Sequence, residues 1–135
     1  MDAFEDSWRD DELRLRLAGH ADTVGVARTA VARFAAPRVP RDREFDLALI
    51  VSEVVTNAIR HGSAGGPLEL RAVATGDRLR VDVTDGGSGL ALPVKAKAPG
   101  ESGGFGLFLV EQLARRWGLV RQKQTTRVWF EFDLA

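Results

Sequence analysis

The chain has 135 residues, of which 44% are hydrophobic and 28% are charged, so one globular domain with a single core is expected. Nineteen basic and nineteen acidic side chains cancel, which excludes recruitment of nucleic acid or an anionic membrane by overall charge. The lack of cysteine excludes disulfides and thiolate metal sites and fits a reducing cytoplasm. No apolar run approaches the roughly 20 residues of a membrane span, and the acidic N-terminus is unlike a signal peptide. These features predict an intracellular, soluble protein.

The pattern of the first part of the chain predicts a flexible N-terminal segment, a strand and a helix. Residues 1–11 are charged and are expected to form a flexible or loosely docked N-terminus. Leucine alternates with arginine over residues 12–17, which is the period of a half-buried strand. A helix capped by Asp22 or Thr23 follows, and it ends before Pro37 because proline removes a backbone donor.

The remaining elements are a long helix, a hairpin, a long loop, a third helix and a closing hairpin. The loop is rich in glycine, proline and alanine, and loops of this length usually have a function. The expected bounds are residues 41–61 for the long helix, 68–74 and 79–84 for the hairpin, 86–104 for the loop, 105–117 for the third helix, and 119–123 and 127–134 for the closing strands.

This order of elements favours one α+β domain over residues 12–135. Strands joined by hairpins pair antiparallel, and helices between them gather on one face of the sheet. We therefore predict a two-layer α/β sandwich with a mixed, mainly antiparallel sheet.

The long helix carries a row of polar residues at the edge of its apolar stripe. Glu53, Asn57 and His61 are four residues apart and therefore lie along one side of the helix. Such a row is commonly a solvated flank. It could equally direct a carboxylate and an amide oxygen into a cleft, where Asn57 would suit a hard cation and Glu53 could act as a general base. His61 has the weaker case, since a histidine at a helix end often only makes a hydrogen bond.

Two glycine-bearing segments follow. Asp85-Gly86-Gly87-Ser88-Gly89 comes directly after a predicted strand, where the glycines would let the backbone approach a ligand that Asp85 contacts. A plain glycine turn is the alternative. Gly103-Gly104-Phe105-Gly106-Leu107 opens the third helix, and the free N–H groups at a helix start can hold an anion. This segment is neither a P-loop nor a Rossmann fingerprint, because it lacks the Lys-Ser/Thr pair and the surrounding βαβ unit.

The three segments in this order resemble the GHKL ATPase superfamily, which includes gyrase-type ATPases and histidine kinases. More narrowly, VSEVVTNAIRHG, VDVTDGGSG, GGFGLFLVEQLARRWG and VWFEF resemble the stand-alone bacterial anti-sigma-factor serine/threonine kinases. The resemblance covers about residues 12–134. It implies a nucleotide-binding fold that takes ATP and Mg²⁺.

The resemblance also implies roles for individual residues. Glu53 matches the residue that activates the attacking hydroxyl or water, and Asn57 matches the ligand of the Mg²⁺ ion. Asp85 matches the carboxylate that accepts a hydrogen bond from the adenine amino group, and residues 90–103 match the ATP lid. The other matched positions, which would bind the nucleotide, are Gly87, Gly89, Gly104, Phe105, Gly106 and Leu107.

The chain departs from the pattern on the phosphate side. Kinases of this family tend to carry an arginine in or before the third segment, where this chain has Ser102 and Phe105. Only Lys95 and Lys97 are then expected to supply a cation.

Three functions remain open from the sequence. The first is an anti-sigma factor that sequesters a sigma factor and phosphorylates Ser or Thr on an anti-anti-sigma partner. The second is a non-catalytic ATP-binding module that switches protein partners. The third is a detached histidine-kinase catalytic domain. A homodimer is left open as well, because the N-terminal strand and Trp8 could serve an interface.

Overall fold

The computed structural model describes residues 6–8, 11–61, 65–85, 107–122 and 125–134. Within these ranges the chain forms six strands and three α-helices, and a short 3-10 turn, Arg41–Arg43, precedes the second helix. The helices are α1 (Thr23–Ala35), α2 (Glu44–His61) and α3 (Phe108–Leu113). The strands are β1 (Asp6–Trp8), β2 (Glu12–Gly19), β3 (Gly65–Thr75), β4 (Arg78–Asp85), β5 (Arg116–Gln122) and β6 (Thr125–Asp133).

The strands form one sheet in the order β1-β2-β3-β4-β6-β5. Every neighbouring pair is antiparallel, so the described sheet contains none of the parallel pairing that a mixed sheet would have. The turn between β3 and β4 is tight, and Gly76 there has a φ of 62°, a left-handed conformation that favours glycine. The predicted two-layer α/β sandwich is confirmed.

One face of the sheet and the inner sides of the helices form the core. Leucines at alternate positions of β2 are buried while the intervening arginines are exposed, as the period-two pattern predicted. Phe34 of α1, Ile50 of α2, and Phe130 and Phe132 of β6 are almost completely buried. Burying a large apolar side chain contributes roughly 1.5–3 kcal/mol, so this layer holds the helices on the sheet.

The third helix is shorter than predicted. Helical spacing of apolar residues suggested a helix to Trp117, but α3 ends at Leu113 and the backbone at Ala114 is extended. Trp117 belongs to β5, where it is buried and alternates with Leu119. Helical spacing and the alternation of a strand both direct Trp117 to the core, so the apolar pattern does not distinguish a helix from a strand here. Pairing with β6 places Trp117 in a strand.

Part of the N-terminal region is paired with the sheet. Residues 6–8, within the segment expected to be flexible or loosely docked, pair with β2 as a short edge strand. The predicted lid, residues 90–103, lies outside the described residues, as do Gly87, Gly89, Gly104, Phe105 and Gly106.

Candidate functional site

A cleft of about 330 Å³ opens along the exposed side of α2, next to α3. This volume lies at the lower end of the range typical of small-molecule sites. The cleft is lined mainly by polar side chains of α2, with one residue from α3. The lining residues are Leu49, Ser52, Glu53, Thr56, Asn57, Arg60 and Leu109.

Glu53 joins α2 to the start of α3. Its Oε1 accepts a hydrogen bond from the backbone N–H of Val110 at 2.8 Å, and its Oε2 accepts one from Leu109 at 3.1 Å. These N–H groups belong to the first turn of α3, which has no partner for them within the helix itself. The carboxylate therefore acts as a cap for α3 and fixes the end of the third sequence segment against the first.

Asn57 lies one turn further along α2, on the same side of the helix. Only 5% of its surface is exposed, so it does not belong to a solvated flank. A buried amide must form hydrogen bonds, because an unpaired one costs about 1–3 kcal/mol, and Asn57 does have an interaction partner. With Glu53 it gives the cleft two oxygen-bearing side chains on adjacent turns.

Asp85 ends β4 and is 3% exposed. Its charge acts on His61, the last residue of α2, so the second sequence segment begins close to the end of the first. Burial is the main cause that lowers the pKa of His61; Arg60 lowers it further, and Asp85 opposes both. His61 is therefore held towards its neutral form at the same end of the molecule as Asp85.

Leu107 is the described residue of the glycine-rich third segment that was expected to contact the nucleotide. The residue as a whole is 1% exposed and belongs to the core. Its carbonyl oxygen accepts a hydrogen bond from the N–H of Glu111 at 3.0 Å. Leu107 thus anchors the end of the glycine segment in the core, directly before α3.

Arg60 is a cleft residue that the sequence reasoning missed. It is exposed, and no hydrogen bond or ion pair joins it to another residue in the described part of the chain. It follows Asn57 by three residues and Glu53 by seven, so the helical period already placed it on the same side of α2. The sequence segments expected to supply a cation, the glycine segment and the lid, do not include this part of α2.

The site thus gathers a carboxylate, an amide and a guanidinium along one helix, close to the start of α3. Among the described residues, no group of three or more histidine, cysteine, aspartate or glutamate side chains could hold a metal ion by itself. Glu53 and Asn57 offer oxygen atoms to the cleft, and Mg²⁺ at phosphates usually takes only one or two protein oxygens beside phosphate and water ligands.

Comparison with known proteins gives the family. Residues 17–132 match the model of the histidine kinase-like ATPase domain, and the chain belongs to this family. Membership in an ATPase family implies that the chain binds ATP. The match includes all three sequence segments, so the resemblance noted from the motifs is confirmed.

Several relatives are similar over about two thirds of the chain. The anti-sigma F factor of Clostridium acetobutylicum is 34% identical over 93 residues, which cover 67% of this chain and 65% of that protein. The anti-sigma F factor of Thermoanaerobacter sp. is 34% identical over 90 residues, covering 64% and 63%. The chain thus spans a little under two thirds of the length of these relatives. The blue-light-activated histidine kinase 2 of Erythrobacter litoralis is 39% identical over 93 residues, covering 66% and 25%.

A solved structure shares the fold. The crystal structure of the RsbU and RsbW domains of a Mycobacterium tuberculosis protein superimposes with a TM-score of 0.71 at 21% identity, covering 91% of this chain and 32% of that one. None of the helices in the described ranges is both long and apolar enough to cross a membrane.

Proposed function

We propose that this chain is a cytoplasmic ATP-binding anti-sigma factor. In this proposal it sequesters a sigma factor and transfers a phosphoryl group from ATP to Ser or Thr of an anti-anti-sigma partner. The observation that carries the proposal is the shared cleft of Glu53, Asn57 and Arg60, within a domain of the histidine kinase-like ATPase family. Relatives named anti-sigma F factor support the choice within that family.

The residues of the cleft fit a magnesium nucleotide. Asn57 supplies the kind of oxygen ligand that Mg²⁺ accepts, and the absence of a larger acidic cluster among the described residues suits an ion that keeps phosphate and water ligands. When bound, Mg²⁺ would neutralise charge on the phosphates. Arg60 would add a second positive charge on the same side of α2, since phosphoryl transfer depends mainly on positioning and charge neutralisation.

The remaining roles follow the chemistry of the side chains. Asp85, buried at the end of β4, would accept a hydrogen bond from the adenine amino group. Glu53 would accept the proton of the attacking hydroxyl group, as a general base. In the proposal the nucleotide site is completed by Gly87, Gly89, Gly104, Phe105 and Gly106, and the buried Leu107 holds the end of the glycine segment in place.

A second candidate is a non-catalytic ATP-binding module that switches protein partners. It is favoured by one observation, namely that both oxygens of Glu53 are already engaged by the N–H groups of Leu109 and Val110. A carboxylate that only caps α3 would leave the site able to bind nucleotide and unable to activate a hydroxyl group.

Labelled-ATP transfer to an anti-anti-sigma protein that the chain binds distinguishes the two candidates. The kinase proposal predicts label on a Ser or Thr of the partner, with the matching Ser→Ala or Thr→Ala partner as control. Tight binding of both ATP and the partner without any transfer would favour the non-catalytic module. Failure to bind Mg-ATP in calorimetry would contradict both.

A further inference from the structure

The sheet has one face that α1, α2 and α3 do not cover, and we call it the open face. Along β2, β4 and β6 the residues on the open face alternate with the residues buried in the core. Register places them in rows across the strands, so that Arg71 lies beside Asp82, and Asp82 beside Trp129. This face lies on the opposite side of the sheet from the nucleotide cleft, which is built on α2.

Three carboxylates on the open face are each shared by two arginines. Glu12 contacts Arg14 at 2.8 Å and Arg71 at 2.6 Å. We call such a group, one carboxylate between two guanidinium groups, an arginine triad. Each triad carries a net charge of +1, because two positive groups share one negative group.

The other two triads lie on the same face, on β4, β5 and β6, towards the other edge of the sheet. Asp82 contacts Arg80 at 2.9 Å and Arg127 at 3.9 Å. Glu131 contacts Arg116 at 3.0 Å and Arg78 at 3.6 Å. Arg116 and Arg78 lower the pKa of Glu131, with the hydrogen bond from Arg116 as the largest cause.

The open face is therefore positive although the whole chain is formally neutral. The three triads contribute three excess positive charges. The other charged residues that the structure describes on this face balance one another in charge: Arg16 lies opposite Glu69, and Asp133 lies 3.4 Å from Arg115. The triads also leave donors accessible, since the arginine side chains in them are 40–62% exposed. A guanidinium group has five N–H donors, so one shared carboxylate does not satisfy two of them.

Trp129 adds a flat aromatic surface within this charged field. It lies opposite Gly118 of β5, and a Cβ atom on Gly118 would come within 2.6 Å of the indole Nε1. The guanidinium carbon of Arg80 lies 4.3 Å from the centre of the Trp129 ring. A glycine in a strand costs stability, and here it lets the indole lie close against the sheet. Tryptophan and arginine are the residues most enriched at the energetic centres of protein interfaces.

We propose that the open face is a docking surface for an acidic protein partner. Carboxylates of the partner would bind the unused donors of the triads, since planar guanidinium groups match carboxylates in geometry. A nucleic acid fits less well, because the carboxylates between the arginines would repel a continuous row of phosphates. A second copy fits less well too, because two faces of equal charge repel one another.

The proposal goes beyond the nucleotide chemistry and does not depend on it. A partner on the open face would leave the cleft on α2 accessible. The chain could then hold one protein on the sheet while nucleotide is bound on the other side.

Charge reversal at the outer arginines tests the proposal. The probe is a fluorescent decaglutamate peptide, and binding is followed by anisotropy at low and at moderate salt. The test variant is Arg14→Glu with Arg127→Glu, one arginine from each of two triads. The matched control is Arg33→Glu with Arg41→Glu, which changes the net charge equally at exposed positions outside the open face.

The test variant is expected to bind the peptide about tenfold more weakly than wild type, since two exposed contacts are lost and charge reversal adds repulsion. The control is expected to change binding less than about twofold. The neutral variant Arg14→Gln with Arg127→Gln should lie between them, which separates the loss of attraction from the added repulsion.

Three results would overturn the proposal. The first is absent binding of the peptide, or equal binding by all variants. The second is tighter binding of a short DNA duplex than of the peptide, which would make the face a nucleic-acid surface. The third is a wild-type dimer in sedimentation that the test variant alone dissociates, which would assign the face to a second copy. ATP binding by the test variant is measured in parallel, so failure here is distinguishable from failure of the proposed kinase site.

Discussion

The carboxylate of Glu53 lies 2.8 Å from the backbone nitrogen of Val110, across the junction of α2 and α3. The contact joins the first sequence segment to the helix that follows the third, through two residues that are 57 positions apart. It also assigns to Glu53 a structural task that competes with the proposed catalytic one. Substitutions at Glu53 can separate these tasks.

Glu53→Ala is expected to retain nucleotide binding and to lose phosphoryl transfer by about a hundredfold or more, as general-base removal does. It should also lower stability by about 1 kcal/mol, because the cap of α3 is lost. Faster amide hydrogen exchange at Leu109 and Val110 reports the lost cap.

Glu53→Gln is the matched control, since its single carbonyl oxygen can still accept one of the two hydrogen bonds. Partial recovery of amide protection without recovery of transfer supports the general-base role. Recovery of transfer together with protection would show that Glu53 acts only as a cap.

Asp85→Asn is expected to weaken ATP binding by about 10- to 100-fold, measured by calorimetry. The reason is that the asparagine amide turns a donor towards the adenine amino group, and a mismatched buried polar pair costs about 1–3 kcal/mol. Asp77→Asn, the same change at an exposed turn position, serves as control. Equal affinities of Asp85→Asn and wild type would remove Asp85 from the adenine site.

Arg60→Ala is expected to weaken ATP binding by about tenfold and AMP binding by less than about twofold. A guanidinium group that acts on the outer phosphates contributes only when those phosphates are present, and charge-assisted contacts are stronger than neutral ones. Arg33→Ala, on the exposed side of α1, controls for the loss of one positive charge. An equal loss for ATP and AMP would place Arg60 away from the outer phosphates.

Gly118→Ala is expected to destabilise the chain by about 1–3 kcal/mol, because the added methyl group overlaps the Trp129 indole and overpacking costs that much. Chemical denaturation measures the loss. In the double variant Gly118→Ala with Trp129→Leu, the overlap disappears and the alanine should be nearly neutral. A glycine whose role were only backbone conformation would show the same cost in both backgrounds.

Acid should weaken the ion pairs of the open face and so destabilise the fold in a defined pH range. Hydrogen bonds from Arg14 and Arg71 lower the pKa of Glu12 from 4.5 to about 2, and Arg116 lowers the pKa of Glu131. A carboxyl group with a lowered folded-state pKa stabilises the fold above its ordinary pKa, and that contribution is lost as pH falls through the lowered value.

Melting temperature should therefore fall as the pH is lowered from about 4.5 towards 2, the window set by Glu12. The double variant Glu12→Gln with Glu131→Gln should show a shallower decline over that range. Asp77→Asn, at an exposed turn, should follow the wild-type curve. Parallel curves for wild type and the double variant would show that these carboxylates do not couple stability to pH.

The class of fold followed from the sequence, and the main residues of the site were predicted from it. Alternating leucines predicted β2, the apolar stripe predicted α2, and the hairpins predicted a mixed, mainly antiparallel sheet, whose described strands all pair antiparallel. These patterns are local, since the period of the apolar residues follows directly from the geometry of a strand or a helix. The motif order identified the family, and the roles of Glu53, Asn57 and Asp85 stay predictions.

Other features depend on contacts between residues that are distant in the chain, and only the tertiary structure shows them. Pairing with β6 placed Trp117 in a strand, because helical and strand spacing both direct it to the core. Packing of α2 against α3 engaged Glu53 with Val110 and brought Arg60 into the cleft. The register of the sheet assembled the arginine triads from separate strands, so a formally neutral sequence gave no sign of a positive face, because net charge does not record position.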